Sequence, residues 1–234
     1  MGSVGYLLVA DMMGFSKMVR NLSQEQLAVR VKEWVDLVCD AAKKFNIDDI
    51  KLISDTIFVF VEPGKNNFEN LVCFSREILL GGIQNSFPIR GAIVYGEVAW
   101  GSVIYGQAVI DAHELEQSQN WIGIACAANI VGVDSLWSID RLICYPVPKK
   151  QGAIQQYPVV SWDVPDLGVI MRLLMGGGLT KTGEVIDWRL GEILNNTIMF
   201  GLYQKLVIAN KQNVSLGNLS MVLINDALNK SGIR

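Results

Sequence analysis

The stretch LLVADMMGFSKMV, residues 7–19, is the strongest indication of how this chain folds. An apolar run ends at an acid, Asp11, and a glycine follows at position 14. A short apolar run that ends at turn residues is typical of a buried strand. Burying an unpaired carboxylate is costly, so an acid at the tip of such a strand indicates that a group of opposite charge meets it there.

The residues after this strand alternate between helical and strand patterns. Ser23 and Gln26 form a capping box, and apolar residues at helical spacing extend the predicted helix to about residue 45. The segment IKLISDTIFVFVE, residues 50–62, predicts two strands that meet in a turn at SDT, which contains Asp55. The remaining predictions are helices at 67–84 and 107–119, two strands around a glycine-bearing turn at 88–106, and late strands within 140–147 and 157–164.

This order of elements predicts an α+β fold, in which helices pack on one face of a mostly antiparallel sheet. The pattern changes after residue 168. The segment MGGGLTKTG, residues 175–183, is typical of a flexible joint, and residues 186–210 have the pattern of a helix. We therefore predict a main domain over residues 1–168 and a helical C-terminal extension over residues 169–234.

Composition restricts the class of protein. The 234 residues suit one domain with an appendage, and 50% are hydrophobic while only 18% are charged, so part of the surface is expected to be covered by a partner subunit. The net charge of −3 and the lack of a long basic run argue against nucleic-acid binding. The sequence has no N-terminal signal and no apolar run long enough for a membrane span, so we expect a cytoplasmic protein.

The single histidine, His113, excludes a histidine-rich metal site. The four cysteines lack a CxxC pair, which predicts buried thiols in a reducing compartment.

Asp11 and Asp55 suggest a chemical role. If their strands are neighbours, both carboxylates lie at one edge of the sheet, where two like charges need a cation between them. Hard divalent ions such as Mg²⁺ take carboxylate oxygens together with substrate phosphates. The Gly14-Phe15-Ser16 turn offers backbone N–H groups to phosphate. The residues thus suggest a metal–triphosphate site, and the alternative is that both acids simply cap turns or helices.

Four segments resemble the motifs of class III nucleotide cyclases. ADMMGFS resembles D-[IV]-x-G-F-[ST], and KLISDTIFVF is similar to K-x-x-G-D-x. PIRGAIVYGEVAWG resembles R-x-G-[IV]-x-x-G-E-V-x-x-G, and YGQAVIDAHELE resembles Y-G-D-x-V-N-x-A-x-R-L-E. All four occur in order within residues 6–116, about half of the chain. The resemblance implies a ferredoxin-like βαββαβ core, and it implies that residues 1–168 are a catalytic domain.

The resemblance also implies roles for individual residues. Asp11 and Asp55 match the acids that hold two divalent metal ions, Mg²⁺ or Mn²⁺, and Met12 matches a position whose carbonyl faces the metal. The phosphate-binding turn is matched by Gly14, Phe15 and Ser16. Lys51 matches a base-reading position. Arg90 matches a basic position common in the family, where it either contacts phosphate or is a surface charge at the end of its strand. Lys149 and Lys150 are within reach of a triphosphate, although a solvated loop is the stronger expectation for them.

Some positions depart from the family pattern. Gln107 stands at the second base-reading position. Ile110 replaces the asparagine that orients the ribose in the family, and Glu114 replaces the transition-state arginine. Ser54 stands where most of the family has glycine. The SDT turn and the AHELE helix resemble the pyrimidine cyclases of bacterial Pycsar anti-phage defence, which share the asparagine and arginine departures. Lys51 does not decide the base, because its ammonium can donate to cytosine, uracil or adenine.

The resemblance implies a homodimer with active sites at the interface. It implies cyclisation of an NTP, CTP or UTP by preference, by two-metal, in-line attack of the 3′ hydroxyl on the α-phosphate. A separate effector would read the cyclic product. Two alternatives stay open: an adenylate cyclase that makes cAMP, and a catalytically degenerate domain that binds nucleotide or dimerises without turnover.

Overall fold

The computed structural model describes residues 2–132, 141–152, 154–165, 168 and 188–209. In chain order its elements are β1 (Ser3–Met12), α1 (Phe15–Asn21), α2 (Gln24–Lys44), β2 (Ile50–Ile53), β3 (Thr56–Val61), α3 (Lys65–Gln84), β4 (Ile89–Trp100), β5 (Ile104–Tyr105), α4 (Gln107–Ser118), β6 (Gly123–Cys126), a 3₁₀ helix (Ala128–Gly132), β7 (Leu142–Val147), β8 (Gln155–Val160) and α5 (Trp188–Ala209).

One sheet organises the described part of the chain. Its strand order is β2-β3-β1-β4-β6-β8-β7, and the short β5 pairs with the end of β4. The pairs are antiparallel except β4 and β6, which run parallel. The first four strands, with α2 and α3 between them, have the order β2-β3-β1-β4 of a ferredoxin-like βαββαβ core. The predicted α+β class and the mostly antiparallel sheet are confirmed.

The two faces of the sheet carry different helices. Alternate residues of β1, such as Leu8 and Met12, enter the main core, which also contains residues of α2, α3 and α5. The intervening residues Leu7 and Val9 belong to a second apolar cluster, which contains Ala112 of α4. The main helices therefore share one face, as expected, and α4 covers part of the opposite face. Asp11 has the same strand parity as Leu7 and Val9, so it lies on the α4 face.

Several local predictions are confirmed. Ser23 accepts a hydrogen bond from the backbone N–H of Gln26 (3.3 Å), and the Gln26 side chain accepts one from the N–H of Ser23 (3.1 Å), which completes the capping box. The two strands around SDT are β2 and β3, and the helices predicted at 67–84 and 107–119 are α3 and α4. The sequence did not indicate β6, because four residues are too short for a periodic pattern and parallel pairing to β4 stabilises them.

Helix α5 packs against the main core. The ring of Phe200 lies 4.7 Å from that of Trp121 and 4.9 Å from that of Tyr145, between centroids. Thr197 Oγ1 accepts a hydrogen bond from the backbone N–H of Ile122 (2.9 Å). The predicted joint at 175–183 lies outside the described residues, and the domain boundary at 168 stays a prediction.

Two further observations concern membrane spans and cysteines. Within the described ranges, no helix is both long enough and apolar enough to cross a bilayer. All four cysteines are free thiols, as predicted, although only Cys126 is fully buried.

Candidate active site

The sheet register brings Asp11 and Asp55 to the same edge. Asp11 pairs with Thr56 on β3, the residue directly after Asp55, and with Arg90 on β4. The backbone N–H of Met12 donates to the carbonyl of Asp55 (3.1 Å), and the hydroxyl of Thr56 donates to Oδ1 of Asp11 (3.1 Å). The two acids, which are separated by 44 residues in the sequence, therefore meet where β1 ends and the β2–β3 turn lies.

The carboxyl group of Asp11 has an unusual charge environment. Burial raises its pKa from 3.8 to about 6, and the nearby Asp55 and Glu116 carboxylates act in the same direction. The hydrogen bond from Thr56 and the charge of Arg90 oppose that rise only in part. A partly buried carboxylate beside a second one is a position at which a bound cation is strongly favoured.

The β2–β3 turn holds Asp55 by means of an unusual backbone conformation. Ile53 pairs with Thr56, so Ser54 and Asp55 form a two-residue turn. Ser54 has φ of +60°, the left-handed region in which glycine is the least strained residue. Ser54 therefore adopts a backbone conformation that suits glycine, the residue that the resemblance predicts at this position.

The Gly14 turn follows directly after Met12 and Met13. Gly14 has φ of +87° at the N-cap of α1, and its carbonyl accepts from the N–H groups of Lys17 (2.9 Å) and Met18 (3.1 Å). The N–H groups of Phe15 and Ser16 precede these first helical hydrogen bonds. Beside the turn is a cavity of about 260 Å³, whose lining residues are Met13, Gly14, Lys17, Pro88, Arg189, Leu190 and Ile193. The first turn of α5 thus lies close to the predicted phosphate-binding residues.

Arg90 is held in a buried network. Its guanidinium bonds Glu116 on α4 and the carbonyl of Gln119 (3.2 Å), and only 8% of Arg90 and 2% of Glu116 are exposed. Burial and the Arg90 charge lower the pKa of Lys150, while Glu116 and Asp11 oppose that fall. Lys150 is exposed, in agreement with the expectation of a solvated loop, and Asp11 is among the charges that act on its pKa. A contact between Arg90 and phosphate stays a prediction.

The remaining predicted residues lie farther along the same face or on α4. The ammonium of Lys51 lies 4.9 Å from the centre of the Trp100 ring. Gln107 donates to Asp111 within its own helix (2.7 Å). Ile110, which is 53% exposed, and Glu114 lie on the exposed side of α4. None of these contacts joins the residues of α4 to Asp11 within the described chain, so their roles stay predictions.

The donor set fits a hard divalent cation. Asp11 and Asp55 supply carboxylate oxygens, and the carbonyl of Met12 is adjacent in the chain, which are ligand types that suit Mg²⁺ or Mn²⁺. Across the described residues no cluster of three His, Cys, Asp or Glu side chains could hold a metal. Further ligands would therefore come from backbone oxygens, water or substrate phosphates. Thr56 is the site residue that sequence reasoning did not single out, although it directly follows Asp55 in the SDT turn.

Comparisons with known proteins concern the fold. No protein-family profile matches the sequence, and no curated protein sequence matches it. Solved structures do match. The adenylyl cyclase CyaB from P. aeruginosa has a TM-score of 0.52 and 19% identity, over 69% of this chain and 96% of that one. The dimeric guanylyl cyclase domain of the RhoGC fusion protein from the aquatic fungus Blastocladiella emersonii has a TM-score of 0.54 and 18% identity, over 68% and 97%.

A third structure, the guanylyl cyclase Cya2, matches with a TM-score of 0.52 and 16% identity, over 69% of this chain and 95% of that one. In each case nearly the whole cyclase domain is covered, whereas about a third of this chain is not. The strand order and these similarities agree, and they show that the chain has the fold of the class III nucleotide cyclase domains.

Proposed function

We propose that this chain is a nucleotide cyclase that converts a nucleoside triphosphate, CTP or UTP by preference, into the 3′,5′-cyclic nucleotide and pyrophosphate. The observation that carries the proposal is that Asp11 and Asp55 meet at one edge of the sheet, directly before the Gly14 turn. A site with paired carboxylates and backbone N–H groups suits a metal-bound triphosphate. The similar solved structures are adenylyl and guanylyl cyclases.

The residues around this edge have separate roles in binding the cations and in orienting the groups that bind them. Asp11 and Asp55 would hold two divalent cations, with the Met12 carbonyl as a further donor. When bound, such cations lower the pKa of the attacking 3′ hydroxyl and neutralise phosphate charge. Thr56 fixes the rotation of the Asp11 carboxylate through its hydrogen bond. The 3′ hydroxyl of the nucleotide loses its proton to water as its oxygen bonds the α-phosphorus, and the bond from that phosphorus to the pyrophosphate oxygen breaks in line.

Two kinds of group near Asp11 would bind the negative oxygens of the triphosphate: a lysine ammonium and backbone N–H groups. Lys150 lies close enough for Asp11 to influence its pKa. The N–H groups of the Gly14-Phe15-Ser16 turn would donate to phosphate oxygens. Arg90 lies opposite Asp11 in the register, and its ion pair with Glu116 limits how far its guanidinium can reach.

The preference for a pyrimidine rests on the resemblance at the SDT turn and the AHELE helix, and on the side chains at positions 110 and 114. Lys51 and Gln107 present an ammonium and an amide, which can match the hydrogen-bonding edge of cytosine or uracil. ATP is the competing substrate, because lysine at position 51 also suits adenine. As in Pycsar defence, the product would act in the cytoplasm as a second messenger for a separate effector.

A homodimer is part of the proposal. The sheet face that carries Asp11 has exposed apolar side chains at its rim, among them Ile53 and Ile110. In the proposed dimer these exposed apolar side chains would be covered by the partner subunit. One of the similar guanylyl cyclase domains forms a non-canonical dimer, and a second structure of the same domain is monomeric. A second copy on this face would cover the side of α4 that carries Ile110 and Glu114.

A product assay tests the proposal. The purified chain is incubated with each of the four NTPs and Mn²⁺ or Mg²⁺, and cyclic nucleotide and pyrophosphate are separated by chromatography. Asp11→Asn and Asp55→Asn should abolish turnover with folding intact. Asp40→Asn removes an exposed acid on α2 and should leave turnover unchanged. If none of the four NTPs gave a cyclic product, the proposed activity would be overturned.

A second candidate function has its own observation. Glu114 places a negative charge where the family has a cation, and losing one such stabiliser costs about 10²–10³ in rate. The chain would then bind nucleotide without turnover. In that case an NTP with Mg²⁺ raises the unfolding temperature while no product forms. Activity that emerges only in the Ile110→Asn, Glu114→Arg double variant would favour this candidate.

A further inference from the structure

Lys51 is held against an aromatic side chain from a distant strand. Its ammonium lies 4.9 Å from the centroid of the Trp100 ring, a distance at which a cation is attracted to the face of an indole. Lys51 is on β2, whereas Trp100 is the last residue of β4. A lysine side chain has four rotatable bonds, so this contact restricts a group that would otherwise sample many positions.

The Trp100 ring is itself fixed from two sides. It stacks on Phe60 of β3, with ring centroids 5.8 Å apart and an interplanar angle of 29°. Its indole N–H donates to Oδ1 of Asp49 (3.0 Å), just before β2 begins. A carboxylate acceptor on the indole N–H adds electron density to the ring, which strengthens its attraction for a cation. Trp100, Phe60 and Asp49 therefore form a rigid support for Lys51.

This support lies on the same side of the sheet as the paired acids. Lys51 pairs with Phe58, and Phe58 pairs with Val9, two residues before Asp11 on the same strand. Residues two apart on a strand share a face, so Lys51 and Asp11 lie on one face. Trp100 also pairs with Ile104 of β5, which leads directly into the start of α4 at Gln107. The indole contacts Lys51 directly, and the backbone of Trp100 pairs with the short strand that precedes the other predicted base-reading position.

We infer that Trp100 is a positioning residue that sets the base preference of the site by holding the Lys51 ammonium in one place. The inference rests on the proposed function, because it takes the ligand to be a nucleoside triphosphate. Discrimination between bases depends on hydrogen bonds that one base makes and another leaves unmade, and this requires a donor in a defined position. Without the indole, Lys51 keeps its charge and loses its fixed direction, so selectivity falls more than affinity.

The test compares Trp100→Phe and Trp100→Leu with the wild-type chain. Trp188→Leu is the matched control, because Trp188 is 71% exposed on α5 and also has a cation, Arg189, over its ring. For each protein, kcat/KM is measured for all four NTPs, and Kd for the same NTPs with Mg²⁺ is measured by calorimetry. Trp100→Leu should reduce the ratio between the preferred NTP and the next by about three- to thirtyfold. Trp100→Phe should lie between, and Trp188→Leu should match wild type.

A purely structural role is excluded by a second comparison. In a Lys51→Met background, Trp100→Leu should change no ratio further, because the residue that it positions is gone. The inference would be overturned if Trp100→Leu lowered kcat/KM equally for all four NTPs. It would also be overturned if Trp100→Leu changed the kcat/KM ratios further in the Lys51→Met background.

The binding measurement separates this inference from the proposed function. If the wild-type chain binds NTPs without cyclising them, the proposed activity fails, and the Kd ratios alone decide the role of Trp100. If it binds none of the four, both conclusions are overturned.

Discussion

Glu116 on α4 and Arg90 on β4 form a buried ion pair, in which Oε1 of Glu116 lies 2.7 Å from Nε and 2.6 Å from Nη2 of Arg90. The guanidinium also donates to the carbonyl of Gln119, and the Gln119 amide donates to the carbonyls of Gly91 (2.9 Å) and Leu115 (3.0 Å). These bonds attach the end of α4 to β4 at the position opposite Asp11. The network fixes how α4 lies across the sheet.

Glu116→Gln should destabilise the protein strongly. The change leaves the Arg90 charge buried without its counter-ion, and breaking a buried pair from one side costs about 3–5 kcal/mol. Urea unfolding followed by circular dichroism measures the loss. Glu114→Gln, an exposed change two residues earlier, should stay within about 0.5 kcal/mol of wild type. A loss below about 1 kcal/mol for Glu116→Gln would mean that the pair is solvated in solution.

Asp11→Asn should make the metal-free protein more stable above pH 6. Asp11 titrates near 3.8 in the unfolded chain and at about 6 in the folded protein. Between these values the folded state keeps a proton that the unfolded state has released, so stability falls as the pH rises. Asparagine removes this effect and can still accept the Thr56 hydrogen bond. After allowance for partial exposure, the gain at pH 7.5 should be about 1–2 kcal/mol, and it should vanish below about pH 4.

The same variant tests the cation site. Mg²⁺ or Mn²⁺ should raise the unfolding temperature of the wild-type chain at pH 7.5 and have a smaller effect at pH 5, where protons compete for Asp11. Asp11→Asn should abolish most of the response at both pH values. An equal metal response in wild type and variant would contradict the assignment of Asp11 as a ligand.

Ser54→Gly should stabilise the β2–β3 turn. A non-glycine residue at φ of +60° is strained, and glycine adopts this conformation without that cost. The flexibility of glycine in the unfolded chain offsets part of the gain, so we expect about 0.5–1 kcal/mol by thermal unfolding. Asn46→Gly, at φ of 52°, is the matched comparison, and it should gain less because asparagine tolerates this region. A loss of stability in Ser54→Gly would show that the serine side chain supports the turn.

Phe200→Ala should show that α5 belongs to the folded core. Phe200 is fully buried between Trp121 and Tyr145, and such truncations cost about 3–5 kcal/mol. Met199→Ala, on the neighbouring residue, which is 53% exposed, should change stability by less than about 0.5 kcal/mol. Chemical denaturation of both variants gives the comparison. Similar small effects would mean that α5 is detached in solution.

The fold was predictable where one segment carries its own pattern. The apolar run before Asp11 and the turn at SDT each contain enough periodicity and turn chemistry to indicate their elements. The expectation that Asp11 and Asp55 lie side by side needed only the assumption that their strands are neighbours, and β1 and β3 are paired.

The site was less predictable where contacts join distant segments. The sequence did not indicate that Arg90 and Glu116 form a pair, yet packing of α4 on β4 brings them together and buries both. The contact of Lys51 with Trp100 likewise depends on the path of β4 across the sheet. No local period encodes contacts of this kind, because they form only when the sheet is complete.

The position of α5 in the chain affects folding during synthesis. Trp121 and Tyr145 depend on Phe200 for part of their cover, and the backbone N–H of Ile122 depends on Thr197. On the ribosome the sheet is complete by β8, at residue 160, well before α5 has left the exit tunnel. A nascent chain at that stage exposes aromatic side chains beside the network that holds Arg90. Translation pauses after β8 has left the exit tunnel and before α5 follows it would therefore lengthen the period in which these aromatic side chains are exposed.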